Sequence, residues 1–105
     1  MHADSTKYCV YVLWLSGFST PSIACWTGLS EGQVRGLVGR SPWHDRQHIA
    51  LNERQRLLDD YRAVRLGEDG AAIDGGLLDG IDWVSRHGDA AHGAPIELVQ
   101  TASAA

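Results

Sequence analysis

The chain has 105 residues, a formal net charge of −4 and a hydrophobic content of 44%. This length favours one small domain with little stability to spare. No apolar run reaches the roughly 18 residues that a membrane-spanning helix needs, so the sequence predicts a globular protein of the cytoplasm with no membrane partner.

The negative charge is distributed unevenly along the chain. Up to Arg56, six basic residues stand against four acidic ones, whereas from Leu57 onward three basic residues stand against nine acidic ones. The first part therefore carries +2 and the second −6. This asymmetry indicates a half that binds nucleic acid and an acidic half that contacts another protein. The alternative is that the unevenness has no functional meaning.

Two helices are predicted in the first 27 residues. The segment from Tyr8 to Ser16 is apolar on nearly every side, which is typical of a buried helix. A second helix follows, with Ser19 or Thr20 as its cap and Pro21 in its first turn, and it runs to about residue 27.

A tight turn then leads into a third helix. Gly28 adopts positive φ at little cost, so we expect it to end the second helix. Ser30 is placed to cap the third helix, from Glu31 to about Arg40, through its hydroxyl. One stripe of this helix is apolar and is predicted to pack inward: Val34, Leu37 and Val38.

A fourth helix is predicted after a loop rich in histidine and charge that begins at Pro42. Asn52 and Gln55 form a capping-box pattern at its start, and it ends near Gly67. Its apolar stripe consists of Leu57, Leu58, Tyr61 and Val64 or Arg65.

The end of the chain is rich in glycine and aspartate. A loop over 68–76 precedes a short last helix from Leu77 to Arg86. Four aspartates of this part are interpreted as solvated rather than as a calcium site, because their spacing does not match a calcium-binding loop: Asp69, Asp74, Asp79 and Asp82. Residues 89–105 are predicted to form a disordered tail.

The segment from Tyr8 to Arg40 resembles the helix-turn-helix domains of bacterial and phage DNA-binding proteins, the broad homeodomain-like class. The residues that carry the resemblance are Ile23, Ala24, Gly28, Leu29, Ser30, Val34 and Leu37. The resemblance implies an all-α fold, with a three-helix helix-turn-helix unit in residues 1–50 and one or two further helices in residues 51–88. The extension would serve dimerisation or partner contact.

The third helix would then be the recognition helix, but its outward side is unusual. Opposite Val34 lie three glycines, which we call the glycine face: Gly32, Gly36 and Gly39. Arg35 flanks this face on one side, and Gln33 and Arg40 flank it on the other. Three explanations remain open, namely close approach of the backbone to DNA, contact with a second helix in an assembly, and compositional drift.

Candidate DNA contacts follow from this geometry. Arg35 would donate two hydrogen bonds to a guanine edge, and Gln33 would pair with adenine. Glu31 would accept from cytosine or simply favour the positive end of its helix. The remaining candidates would hold phosphates or let the backbone approach: Lys7, Thr20, Ser30, Gly32, Gly36, Arg40, His44 and Arg46.

The first functional hypothesis is therefore a small transcriptional regulator that binds double-stranded DNA as a homodimer. A phage-type small terminase subunit, assembled as a ring for DNA packaging, is an alternative. A third hypothesis is a protein-interaction module on the same scaffold. No enzyme is expected, because no combination of nucleophile, base and orienting group stands out.

No metal or cofactor is predicted. Cys9, Cys25, His44 and His48 have zinc-ligating side chains, but the two cysteines lie too far apart for a typical zinc motif. Both cysteines are interpreted as buried free thiols.

Overall fold

The computed structural model describes residues 4–87, and this part of the chain is all-α, as the sequence predicts. Its helices are α1 (Asp4–Ser16), α2 (Thr20–Thr27), α3 (Glu31–Gly39) and α4 (Leu51–Ala63). Short 3-10 turns lie at Arg46–His48 and Leu77–Gly80. Over these residues, the only strand-like pairing is an isolated antiparallel bridge between Leu66 and Ala72. The predicted tail, 89–105, lies outside the described residues.

Helix α1 is the centre of the fold, because it packs against each of the other three helices. Most apolar side chains from Tyr8 to Leu15 are buried, as predicted for a segment that is apolar on nearly every side, whereas the first turn of the helix is not buried. It ends at Gly17, whose φ is 112°. The amide of Phe18 then donates to the carbonyl of Leu13 and closes the last turn.

The predicted helix caps and the predicted inward side of α3 are confirmed. The Ser19 hydroxyl caps α2 by accepting from the Ser22 amide, and Pro21 lies in the first turn. Gly28 ends the helix with a φ of 77°. Ser30 caps α3 by accepting from the Gln33 amide. The buried side chains of α3 are the three predicted ones: Val34, Leu37 and Val38.

The start of α4 corrects the predicted capping box. The N-cap position is Ala50, and no side chain caps the helix. Asn52 lies inside the first turn, where its side-chain oxygen accepts from the neighbouring Glu53 amide. Gln55 points away from the helix start and bonds residues near the end of the described chain. The helix also stops at Ala63, earlier than predicted.

The predicted last helix is wrong beyond its first turn. Only Leu77–Gly80 is helical, and residues 81–87 form an extended segment that we call the strap. Gly75 and Gly76 both have positive φ, which prevents a regular helix start. Inside the strap, Trp83 is buried although its φ is 57°, a conformation that non-glycine residues rarely adopt.

Long-range hydrogen bonds explain why the strap is extended. The Ser85 hydroxyl donates to the Leu15 carbonyl, and the Arg86 amide donates to the Ser16 carbonyl, both at 2.9 Å. The Gln55 side chain donates to the Trp83 carbonyl and accepts from the Ser85 amide. The strap therefore satisfies carbonyls at the end of α1 that no helical partner reaches.

The hydrophobic core runs across the boundary predicted between residues 50 and 51. Leu58 of α4 and three residues from the loop and strap, Leu78, Ile81 and Trp83, belong to the same buried cluster as the α1 side chains. Leu57 and Tyr61 pack against it, whereas Val64 is exposed. The apolar stripe of α4 therefore ends before Val64.

An ion pair fixes the loop between α4 and the strap. Arg65 donates from Nε and from a terminal nitrogen to the two carboxylate oxygens of Asp74, at 2.7 and 2.9 Å. The Asp74 side chain is fully buried and also accepts from the Leu78 amide, which corrects its interpretation as a solvated acid. Burial by itself would raise the pKa of this carboxyl, but the bonds from Arg65 and Leu78 outweigh it and hold the pKa below its ordinary value.

Replacing Asp74 with Asn should lower the free energy of unfolding by about 3 kcal/mol, because the Arg65 guanidinium would lose its buried counter-charge. Because the pKa of Asp74 is lower in the folded state, its stabilisation is complete above its ordinary pKa of about 3.9 and is lost as pH falls through the folded-state value. Urea denaturation at a series of pH values from about 2 to about 7 should show that the free energy of unfolding of Asp74→Asn falls less steeply toward acid pH than that of the unsubstituted protein.

The matched control is Asp79→Asn. This substitution removes a second carboxylate that is bonded to the same guanidinium, but the Asp79 side chain is 73% exposed. It should cost less than about 1 kcal/mol. Equal losses for the two variants would contradict the assigned role of Asp74.

A glycine at the end of α1 is predicted to be indispensable for the strap. A Cβ at Gly17 would lie 2.1 Å from the Arg86 carbonyl oxygen, whereas a Cβ at Gly28 would meet no atom within 4 Å. The φ of Gly17, 112°, also lies farther from the left-handed helical region than the φ of Gly28, 77°, so alanine adds more backbone strain at Gly17 as well. Thermal denaturation should therefore show that Gly17→Ala costs at least about 2 kcal/mol more than Gly28→Ala. Equal costs would mean that the strap does not need this close approach.

Candidate nucleic-acid interface

The outward side of α3 brings most of the predicted contact residues together. Five side chains or glycines of this helix are exposed: Glu31, Gly32, Gln33, Arg35 and Gly39. Arg40 follows the last helical residue and is exposed as well, and Ser30 precedes the first one. This surface is polar on a rigid, capped helix whose opposite side is buried in the core.

The start of α3 is a complete capping box. Besides the Ser30 cap, the side-chain oxygen of Gln33 accepts from the Ser30 amide at 2.9 Å. From the sequence, Gln33 was predicted to pair with adenine. In the structure its amide oxygen instead accepts a hydrogen bond that stabilises the start of the helix. Reading a base with Gln33 would require breaking the box.

The arginines of the described chain fall into two groups. Six of them contact other groups of the protein: Arg46, Arg54, Arg56, Arg62, Arg65 and Arg86. The guanidinium groups of Arg35 and Arg40 make no hydrogen bond, ion pair or ring contact with any residue between 4 and 87. Their guanidinium groups are therefore available to an external acceptor.

The glycine face is open to solvent in this chain. A Cβ at Gly39 would meet no atom within 4 Å, and one at Gly32 would meet only the Ser30 hydroxyl at 3.9 Å. Gly36 differs, since a Cβ there would lie 3.3 Å from a terminal nitrogen of Arg40. The Arg40 guanidinium therefore lies against the middle of the glycine face.

Arg46, a predicted phosphate contact, has a role within the fold. One terminal nitrogen donates to the carbonyls of Trp14 and Phe18, at 2.8 and 2.7 Å. The guanidinium carbon also lies 3.7 Å from the centre of the Trp14 ring. Because α1 has no basic residue in its last turn, Arg46 supplies the positive charge that favours a helix C-terminus.

The other predicted phosphate contacts are not gathered at α3. Lys7 lies on α1 and is partly exposed, and Thr20 is the first residue of α2. His44 lies in the loop after α3, with Nδ1 3.2 Å from the Ser41 carbonyl oxygen. Among residues 4–87, no hydrogen bond or ion pair joins these three side chains to Arg35 or Arg40.

The two cysteines differ in environment. Cys9 is a buried free thiol as predicted, and burial raises its pKa to about 11. Cys25 is also free but exposed, which corrects its predicted burial, because it lies on the side of α2 that faces away from α1 and the core. Within the described residues no cluster of three or more histidine, cysteine or acidic side chains could hold a metal ion.

Sequence reasoning missed a buried cation. Arg54 is only 2% exposed, and the polar contacts of its guanidinium, to the Arg86 carbonyl and the His87 ring, are both 3.4 Å long. Burial lowers the pKa of its guanidinium. The burial of Arg54 could have been predicted from its spacing, because Arg54 lies four residues before the core residue Leu58 and therefore on the same side of α4. Arg54 is thus another basic residue of the amino half that serves the fold.

Comparisons with protein-family models, curated proteins and solved structures give no match for this chain. No helix in the described residues has the length and apolar character needed to cross a membrane.

Proposed function

We propose that this chain is a small helix-turn-helix DNA-binding protein, a transcriptional regulator that contacts double-stranded DNA through the outward side of α3. The observation that carries the proposal is that Arg35 and Arg40 are the two described arginines without a partner inside the fold, and both flank the glycine face. Guanidinium groups with free donors are well suited to guanine edges and phosphates.

The arrangement around α3 supports this use. The capping box and the three buried side chains hold the helix rigidly, so Arg35 and Arg40 project from a fixed scaffold. Arg35 is the candidate for reading a base, and Arg40 is the candidate for a phosphate. A single helix of this kind reads few base pairs, so the proposal includes a homo-oligomer that places two copies on one site.

The open glycine face also suits the alternative proposal of a packaging-type assembly, in which α3 contacts a helix of a second copy. Small residues let two helices approach closely, and no group of the described chain covers Gly32 or Gly39. Light scattering distinguishes the two proposals, because a regulator is expected as a dimer and a packaging subunit as a ring. In both, the exposed acids of the second half are candidates for contact with another protein.

The direct test is binding to mixed-sequence duplex DNA, measured by fluorescence anisotropy across a series of salt concentrations. The logarithm of the affinity should fall with the logarithm of the salt concentration, by about 0.9 for each phosphate neutralised. Arg35→Ala should weaken binding by about tenfold, the loss expected for one good guanidinium contact.

The matched control is Arg56→Ala. It removes the same charge from an exposed arginine that is already paired with Glu53 and Asp60 on α4. Affinity should change less than twofold, since the charge lies outside the proposed interface. The proposal fails if no binding is found at low salt, or if both variants weaken binding equally.

Gly36→Ala separates the contribution of α3 to stability from its proposed contribution to DNA binding. Alanine inside the helix should raise the free energy of unfolding by up to about 1 kcal/mol, since the nearest obstacle is the movable end of Arg40. If the α3 backbone approaches DNA closely, the added methyl should nevertheless weaken binding by about tenfold or more. The loss should persist in an Arg40→Ala background, where displacement of Arg40 plays no part. Unchanged affinity would contradict the close approach.

A further inference from the structure

A cleft of about 250 Å³ lies on the side of α1 that carries Cys9. Ser5, Thr6 and Cys9 of α1 form one wall, and Thr27 lies at the end of α2. Ile73 and Leu77, from the loop after α4, form its aliphatic wall. We propose that this cleft binds a small neutral molecule that has one ring-sized apolar body and one hydrogen-bonding group.

The charges around the cleft favour a neutral occupant. The charged residue that lines it is Asp74, whose side chain is fully buried. Its two oxygens accept from Arg65 and Leu78, so the carboxylate has its counter-charge already. A charged ligand would lose its hydration here without gaining an ionic partner, which is costly.

The walls explain why the occupant needs both an apolar and a polar part. Ile73 is an aliphatic side chain that remains 43% exposed, and Leu77 beside it is only partly buried. Covering this wall would remove apolar surface from water. Ser5 and Thr6 line the cleft as well, and their hydroxyls make no hydrogen bond with the other residues in 4–87. A hydroxyl can both donate to and accept from a polar group of a ligand.

The volume limits the size of the ligand. Pockets for drug-sized molecules span roughly 300–1,000 Å³, so this cleft lies just below that range. A cavity of roughly 150 Å³ holds benzene, so this cleft has room for a six-membered ring that carries a polar substituent. The cleft is also supported from behind, because the Arg65–Asp74 pair holds the loop that carries Ile73 and Leu77 in place.

Phenol is the probe for the experiment, and benzoate is its charged counterpart with the same ring. Two-dimensional amide NMR of the full chain should show saturable shifts with phenol, confined to residues around 5–9, 27 and 73–77. Benzoate should bind at least about tenfold more weakly, because its carboxylate has no counter-charge in the cleft.

Ile73→Ala tests the apolar wall and should weaken phenol binding about five- to tenfold. Its control is Val84→Ala, which shortens an aliphatic side chain of similar exposure, 40%, that does not line the cleft. That variant should leave the affinity unchanged. The inference is overturned if phenol causes no saturable shift at these residues, if benzoate binds as tightly as phenol, or if the two variants weaken binding equally. None of these outcomes depends on whether the chain binds DNA.

Discussion

The ion pair between Arg65 and Asp74 is the interaction on which the second half of the structure depends. Residues 64–80 contain little regular secondary structure, so few backbone bonds order them. The two-point bond between a guanidinium and a fully buried carboxylate supplies that order, and the Leu78 amide adds a third bond to the same carboxylate. Leu78 can then enter the core beneath α1, and the strap can start at a fixed position. A buried pair of this kind specifies one arrangement because breaking it strands a charge away from water.

Some arginines of this chain stabilise the fold, whereas others are exposed on its surface without a partner, among the described residues, for their guanidinium groups. Arg46 satisfies carbonyls around the end of α1, Arg54 is buried beneath the strap, and Arg65 holds the loop. Because Arg46 and Arg54 belong to the first half and use their positive charge inside the fold, the charge asymmetry of the sequence overstates how basic the surface of that half is. What remains on α3 is a pair of guanidinium groups beside a bare helix backbone. Few basic groups at fixed positions are more consistent with contact at a defined site than with a broad electrostatic surface.

Sequence reasoning worked where the causes of structure are local and failed where they are distant. Ser19, Gly28 and Ser30 act on residues within one helical turn, so the bounds of α2 and α3 could be predicted from them. The strap could not be predicted, because it is held by the bond of Ser85 to Leu15, 70 residues away along the chain. The fully buried Asp74 is likewise bonded by Arg65, nine residues earlier in the same loop and beyond the reach of a helical-turn pattern. For the candidate site, the face of α3 was predictable from periodicity, but the use of Gln33 in the capping box and of Arg46 in the fold was not.

The glycine face is tolerated because other interactions stabilise α3. Three glycines in a nine-residue helix disfavour it by up to about 1 kcal/mol each relative to alanine. The capping box, the buried inner side and the packing of α3 on α1 and α2 offset that cost, so the helix persists with three glycines on its outward side. A sequence under selection for stability alone would place alanine at Gly39, where a Cβ meets no atom within 4 Å. An uncovered helix backbone of this kind is what the proposed close approach to DNA requires, and it equally suits the alternative proposal of contact with a helix of a second copy.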